Sequence, residues 1–296
     1  MMKKSDLCWC GSKRKWKFCH YPHSNEGLST DANSLQSIYL RKYNILLKND
    51  IHIAAIRKAC ELTSQILDKA CAIAKAGVTT LEINDYVHKL TLEAFSYPAP
   101  LHYGHPPFPK SICTSLNDVI CHGIPDQTPL KDGDILNIDV SCLLNNYFGD
   151  CSRMVMIGNV DQEKKRVVDV SYECLMRSIA ILKPGVMIYE IAEQIEAYAA
   201  LHGCSVVNQF VGHGVGLKFH EEPQVPHHRN AIKIPVAPGM IFTIEPMINA
   251  GVREGYIDPQ NHWTAKTCDG KPSGQWEHTV LITESGYEIL TPWVRE

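Results

Sequence analysis

No stretch of the 296-residue sequence approaches the roughly 18 consecutive apolar residues of a membrane-spanning helix, so no such span is expected. No apolar run follows Met1-Met2-Lys3-Lys4, so no secretory leader is expected and the cytoplasm is the expected compartment. Neither sign of charge prevails: 29 Lys and Arg against 32 Asp and Glu leave −3, too little to argue for any partner. With 45% apolar and 21% charged residues, 19 Gly and 17 Pro, the composition excludes a disordered chain, a collagen-like repeat and a coiled coil. The length suffices for one large domain or two small ones.

What is present is unevenly spread. Residues 1–20 carry six basic side chains (Lys3, Lys4, Lys13, Arg14, Lys15, Lys17) against the single acid Asp6. The remainder is acidic, with a net charge of −8. A basic tip on an acidic body suggests two parts with different partners. Twelve cysteines would suit a disulfide scaffold, but Cys60, Cys71, Cys142, Cys174 and Cys204 sit singly in apolar-patterned segments. They read as small core residues in a reducing compartment.

Only Cys8, Cys10 and Cys19 cluster, and His20 follows them directly. Three thiolates and an imidazole make a closed tetrahedral Zn²⁺ set, and Gly11-Ser12 lets the chain turn back on itself. So short a segment has almost no core, so the metal would supply its folding free energy. The plain alternative is a tail whose cysteines coincide by chance. Residues 24–37 are rich in Ser, Thr, Asn and Asp and read as a linker. The expected organisation is a zinc motif over 1–22, a linker over 23–48 and a catalytic domain over 49–296.

From about Ile51, Ile56, Cys60, Thr63, Leu67, Ala70 and Ala74 recur at helical spacing, and Gly77 is expected to stop the helix. Thr79 or Thr80 opens a second helix carrying Ile83, Val87, Leu90 and Phe95. Five prolines between Pro98 and Pro109 mark a rigid loop without helix. A strand over Ile135–Val140 and a hairpin about Asn145-Asn146 follow.

The chain then repeats itself. Lys75-Ala76-Gly77-Val78 recurs as Lys183-Pro184-Gly185-Val186, an offset of 108. Gly133-Asp134-Ile135-Leu136-Asn137-Ile138-Asp139 recurs as Gly239-Met240-Ile241-Phe242-Thr243-Ile244-Glu245, an offset of 106. Both halves read helix, glycine turn, helix, loop, and a strand ending in a carboxylate. Two similar α+β halves are expected, not a solenoid. If they pack about a pseudo-two-fold axis, Asp139 and Glu245 face each other across it. Two carboxylates brought close repel, and a cation between them removes that cost.

The neighbouring residues fit such a site. Asp150 lies eleven residues after Asp139, across the hairpin, so both can project onto one face. Gly212-His213-Gly214 places an imidazole in flexible backbone that a ligand can approach closely. Glu277 heads an apolar strand. The resulting set of carboxylates and one imidazole suits a pair of Mn²⁺, Fe²⁺, Co²⁺ or Zn²⁺ ions. Each residue alone has a plainer reading, as a strand end, a turn or a solvent-facing acid. Together they are costly, because unpaired charge beside apolar strands is expensive.

Asn117-Asp118-Val119-Ile120-Cys121-His122-Gly123-Ile124-Pro125, Asn137-Ile138-Asp139-Val140, Gly149-Asp150-Cys151-Ser152, Gly212-His213-Gly214, Phe219-His220-Glu221-Glu222-Pro223, Thr243-Ile244-Glu245-Pro246-Met247 and Glu277-His278-Thr279 resemble type I methionine aminopeptidases. The resemblance spans roughly residues 50–295. It implies the pita-bread fold, two pseudo-symmetric α/β halves around an antiparallel sheet. It implies metal ligands Asp139, Asp150, His213, Glu245 and Glu277, with Glu245 also the general base. The Cys/His tip looks like the variant of the family that carries a short N-terminal zinc motif, including chlamydial examples.

The implied reaction is hydrolytic removal of the initiator methionine from nascent chains when the next residue is small, by two-metal activation of water. His220 would hydrogen-bond the scissile carbonyl, and His122 would contact the scissile nitrogen or the next residue. Tyr103, Phe108, Cys113, Phe219 and Trp263 are expected to wall the methionine pocket, although Tyr103 and Phe108 read equally as core aromatics. One rival is a prolidase or aminopeptidase P of the same fold. Another is a non-catalytic module that binds the ribosome through the tip, with Lys13, Arg14, Lys15 and Lys17 on phosphates and Trp16 stacking. Type II enzymes are disfavoured, because 24 residues between His220 and Glu245 leave no room for their insertion. No membrane or DNA partner is expected, and the protein is expected to be a monomer.

Overall fold

Ser34, Asn49 and Thr79 each accept a hydrogen bond from the backbone amide three residues on, and each starts a helix. These are α1 (Leu35–Tyr43), α2 (Asp50–Ile73) and α3 (Thr80–Glu93). A side-chain oxygen there satisfies an amide that the first helical turn leaves unpaired. The computed structural model describes residues 3–9, 13–23, 25–29, 31–293 and 295.

The first half continues through β1 (Tyr97–Pro98), β2 (Cys113–Leu116), β3 (Val119–Cys121), β4 (Ile135–Leu144) and β5 (Tyr147–Met156). The second contains α4 (Gln162–Ala180), α5 (Ile188–Leu201), β6 (Ser205–Val206), β7 (Gly212–Gly214), β8 (Glu221–Val225) and β9 (Ile241–Ile244). Then come β10 (Met247–Asn249), β11 (Gly255–Ile257), β12 (Ala265–Thr267), β13 (Ser273–Gln275), β14 (His278–Ile282) and β15 (Tyr287–Ile289). One sheet has the order β1-β4-β2 with β5 also on β4, and another the order β15-β14-β9-β7-β8. Two three-stranded sheets, β13-β10-β6 and β11-β12-β3, complete the set. The pairings are antiparallel. Asn145 and Asn146 turn β4 into β5 with φ of 50° and 70°, the backbone that a two-residue hairpin needs.

The internal repeat reappears bond by bond. Gly77 N–H donates to Leu130 O at 2.8 Å, and Gly185 N–H donates to Val236 O at 2.9 Å. Leu130 N–H returns to Val78 O, as Val236 N–H returns to Val186 O. Gly77 and Gly185 have φ of 92° and 95°, and Gly133 and Gly239 have φ of 88° and 85°. Only glycine adopts such angles without strain, so the backbone demands it at equivalent points of both halves.

The two halves are stitched together at their strands. Glu277 N–H donates to Ser152 O, Thr279 Oγ1 donates to Asp150 O at 2.7 Å, and Asn137 Nδ2 donates to Gln275 O at 2.8 Å. Helix α2 packs on β4 and β5, while α4 lies against α5, β10 and β13. A Cβ at Gly149 would lie 2.6 Å from the Ala59 backbone, so glycine there sets how closely α2 approaches β5. The core between helices and sheets holds Ile66, Leu67, Ile138, Leu175, Ile195 and Phe242, all buried. Each such side chain contributes about 1.5–3 kcal/mol on burial.

Three expectations need correction. The segment 23–48 is not bare linker: it holds α1, and Ile45, Leu46 and Leu47 are buried. Its polar composition belongs to the caps and the exposed face of a short helix, whose apolar exit segment docks on the body. Helix α2 ends at Ile73, and Gly77 makes the turn that follows instead of stopping the helix. Asp139 lies inside the ten-residue β4 and does not end it, because Val140, Ser141 and Cys142 continue the ladder with β5.

The N-terminal segment folds back through a bridge between Leu7 and Lys15 and a short 3₁₀ turn over Trp16–Phe18. Cys8, Cys19 and His20 bring their ligand atoms within 4.8 Å of one another, and His20 Nδ1 is 3.3 Å from both sulfurs. Cys10, the fourth expected ligand, lies outside the described residues. Trp16 is buried and donates through Nε1 to His23 O at 2.9 Å, so it is not available to stack on a base. The exposed aromatics of the tip among the described residues are Phe18 and Tyr21.

Candidate active site

Asp139 on β4 pairs with Ser152 on β5, and Asp150 pairs with Ser141. Side chains two apart on a strand share a face, so both carboxylates point the same way. Ser141 Oγ donates to Asp150 Oδ1 at 2.7 Å and fixes it. From the second half, Glu245 follows β9 directly and Glu277 precedes β14 directly. His213 is the central residue of β7. Its flanking glycines do not make a flexible loop, as the sequence suggested. A Cβ at Gly212 would sit 2.5 Å from Thr243 O, and one at Gly214 would sit 2.2 Å from Glu222 O. The glycines let β7 press against its neighbours and hold the imidazole rigidly.

These five side chains line one cavity of about 290 Å³. His213 Nε2 lies 3.6 Å from Glu245 Oε1 and 3.8 Å from Asp150 Oδ2. Potential ligand atoms of Asp150, His213 and Glu277 lie within 4.8 Å of one another. Glu245 is held from both sides, by Thr243 Oγ1 on Oε1 at 2.7 Å and by Gln275 Nε2 on Oε2 at 3.2 Å. Its backbone N–H donates to His227 Nε2 at 3.1 Å.

The electrostatics of the cluster favour a bound cation. Burial raises Asp139 to about 7 and Glu245 to about 8. Burial, together with neighbouring carboxylates, holds Asp150 and Glu277 well above the usual range. Burial lowers His213 to about 4, so its ring is neutral. Its Nδ1 lies 3.0 Å from Gly214 O, which can only accept, so Nδ1 carries the proton and Nε2 presents a lone pair to two carboxylates. Acceptors facing acceptors are stable only with a cation or protons between them. Asp139 Oδ1 is buried without a hydrogen-bond partner. Four carboxylates and one imidazole are a donor set that fits divalent first-row cations.

Much of the remaining lining is apolar and aromatic. Phe108 is buried with its ring edge-on to Trp263 at 5.3 Å. Trp263 is fixed by a bond from Nε1 to Pro106 O and by Gly104, where a Cβ would lie 2.4 Å from the indole. Tyr103 sits at the rim, against Phe219 at 4.9 Å and stacked on His220 at 5.0 Å. His122 turns into the cavity with φ of 55° and lies edge-on to Phe210. Every residue expected at the catalytic site or the methionine pocket thus lines this cavity, Cys113 included.

Sequence reading missed Phe210, Val211, Gln209 and Ser141 in the wall, and the fixing roles of Thr243, Gln275 and His227. Ser141 was legible by period-two spacing from Asp139, and residues 209–211 by their place just before Gly212-His213-Gly214. His227 carried no signal, because its partner is a backbone amide.

Comparison with known proteins identifies the family and the fold. Residues 54–284 match the model of metallopeptidase family M24, and residues 5–22 match the SEC-C motif. The chain is 60% identical over 290 residues to a methionine aminopeptidase of Chlamydia muridarum, covering 98% of this chain and 99% of that protein. The crystal structure of a methionine aminopeptidase from Rickettsia prowazekii superposes with a TM-score of 0.81 at 40% identity, over 84% of this chain and all of that one. A prolidase from Pyrococcus horikoshii shares the fold at 23% identity, with a TM-score of 0.67, over 84% of this chain and 64% of that one. The duplicated halves are those of the pita-bread architecture expected from the motifs. With nearly end-to-end identity to one group and only distant likeness to the other, the chain belongs to metallopeptidase family M24, among its methionine aminopeptidases.

Proposed function

We propose that the chain removes the initiator methionine from nascent polypeptides whose second residue is small. The observation that carries this reading is that Asp139, Asp150, His213, Glu245 and Glu277 line one cavity whose remaining wall is largely apolar and aromatic. These five side chains would hold two divalent ions. When bound, such ions supply Lewis acidity for the scissile carbonyl and a lowered pKa for water. The donor set suits Mn²⁺, Fe²⁺, Co²⁺ or Zn²⁺.

The protein's own groups would do the rest. Phe108, Cys113, Phe219 and Trp263 take the unbranched thioether side chain, where sulfur–aromatic contact favours methionine. His220, at the rim against His213 and Tyr103, donates to the carbonyl oxygen as negative charge develops there. His122, which burial keeps neutral with a pKa lowered to about 4, contacts the scissile nitrogen. Glu245, clamped by Thr243 and Gln275, accepts the proton of the attacking water and passes it to the leaving amine. His122, with Phe210 and Trp263 edge-on to its ring, would border the place of the second residue and favour a small one.

Cys8, Cys19 and His20, with Cys10, would hold a structural zinc ion. The basic residues around it would meet phosphates of the ribosome, with the enzyme acting as a monomer. The free thiols of Cys60, Cys142, Cys174 and Cys204 favour the reducing cytoplasm as the place of action. No helix among the described residues is long and apolar enough to cross a membrane.

The test is a pair of substrates. Metal-loaded protein is expected to release methionine from Met-Ala-Ser and to leave X-Pro dipeptides essentially uncut. X-Pro turnover at a comparable kcat/KM would contradict the assignment.

A further inference from the structure

The N-terminal module does not hang free of the body. Trp9 packs with Leu28 and Leu40 against the cluster that contains Leu46, and the His23 ring lies 4.8 Å from that of Tyr147. Beneath the module, Lys48 and Glu221 form a buried ion pair at 2.6 Å. Between module and body runs a second cavity of about 590 Å³, within the usual range of about 300–1,000 Å³ for ligand sites. Arg14 borders it from the module, and Lys218, Glu222 and Gln224 border it from the body. His213 and His220 line this groove and the catalytic cavity alike, so the two spaces meet at those imidazoles.

We infer that this groove receives the substrate polypeptide beyond its second residue, with the Cys/His module as one wall. The inference rests on the functional reading given above. On that reading the catalytic cavity would hold the methionine side chain and the small second residue, and the groove that meets it at His213 and His220 offers the rest of a nascent chain a way out. Such chains share no sequence there, and recognition has to use the main chain. Strand β8 supplies it: β8 is the last strand of its sheet, paired only with β7 among the described residues. Its Gln224 N–H is met by the carboxylate of Glu222 at 3.1 Å, a local bond that an incoming carbonyl can replace. An extended segment laid along that edge gains main-chain hydrogen bonds whatever its side chains. The charge of Glu221 is already matched by Lys48, which leaves Lys218 and Glu222 as the body's charged groups along the path.

The test compares kcat/KM of the metal-loaded full chain on Met-Ala-Ser and on an octapeptide beginning Met-Ala-Ser. One or two main-chain hydrogen bonds predict an advantage of roughly five- to thirty-fold for the octapeptide. Gln224→Pro, which deletes the amide that an incoming carbonyl would meet, is expected to remove most of that advantage while leaving Met-Ala-Ser turnover unchanged. A photo-crosslinker at the fifth position of the octapeptide is expected to label residues 13–20 or β8. Equal kcat/KM for the two lengths, an advantage that survives Gln224→Pro, or crosslinks elsewhere on the surface would overturn the groove while leaving the aminopeptidase reading intact. Failure to cleave either peptide would overturn the functional reading and the groove's occupant with it.

Discussion

Replacing Glu245 by glutamine, or Asp139 by asparagine, lowers kcat/KM for methionyl peptides by at least about three orders of magnitude, the scale of a lost general base or metal ligand. The fold survives both changes. In Glu245→Gln, the side-chain oxygen keeps the bond from Thr243 Oγ1. The new NH₂ faces Gln275, whose Oε1 is buried without a partner and can accept after the Gln275 amide flips. The substitution also removes a carboxylate from a place where burial disfavours its charge. Asp139 Oδ1 has no hydrogen-bond partner to lose. Steady-state kinetics beside a thermal melt separate the effects: turnover is expected to vanish while Tm stays level or rises. Near-normal turnover in both variants would remove Glu245 and Asp139 from the chemistry.

The second large effect is the dependence of stability on pH and metal. Without metal, burial raises Asp139 from 3.8 to about 7 and Glu245 from 4.5 to about 8, and holds Asp150 and Glu277 well above their ordinary values. A group whose pKa is higher in the folded state binds its proton better there. Its contribution is fully present below the unfolded value near 4 and is lost as pH rises through the folded value. The metal-free protein is therefore expected to weaken between pH 5 and pH 8 through Asp139 and Glu245, by about 1.4 kcal/mol for each tenfold difference in proton affinity between the folded and unfolded chain. The summed loss corresponds to a fall in Tm on the order of 10 °C. Divalent ions replace the protons, so the rise in Tm on adding Mn²⁺ grows with pH over the same window. Melts of chelated and Mn²⁺-loaded protein at pH 5, 6, 7 and 8 check this. Parallel curves would mean that the four acids do not form the proposed cage.

Much of this was legible because it lies in local spacing. Thr79 with Glu82, three residues on, announces a helix start, and the structure shows both halves of that capping box. The glycines at 77, 185, 133 and 239 are legible as a repeat because the backbone needs positive φ at equivalent points. Asp139 and Asp150 are legible as neighbours because a two-residue hairpin fixes the register between them. What failed depended on contacts distant in sequence. Gly212 and Gly214 look like flexibility, yet they exist for the carbonyls of Thr243 and Glu222. Trp16 looks like a surface aromatic among lysines, yet it is a core residue of a very small module. The segment 23–48 looks like linker because residues 24–37 are rich in Ser, Thr, Asn and Asp, and only the docking of Ile45, Leu46 and Leu47 on the body reveals its role.

The central claim is that one carboxylate pair from each half, with His213 between them, holds two divalent cations. Anomalous diffraction from crystals soaked in Mn²⁺ reads this directly. Two peaks enclosed by Asp139, Asp150, His213, Glu245 and Glu277, both lost in Asp139→Asn with Glu245→Gln, are the predicted result. Methionine release by protein that binds manganese nowhere in that cage would contradict it.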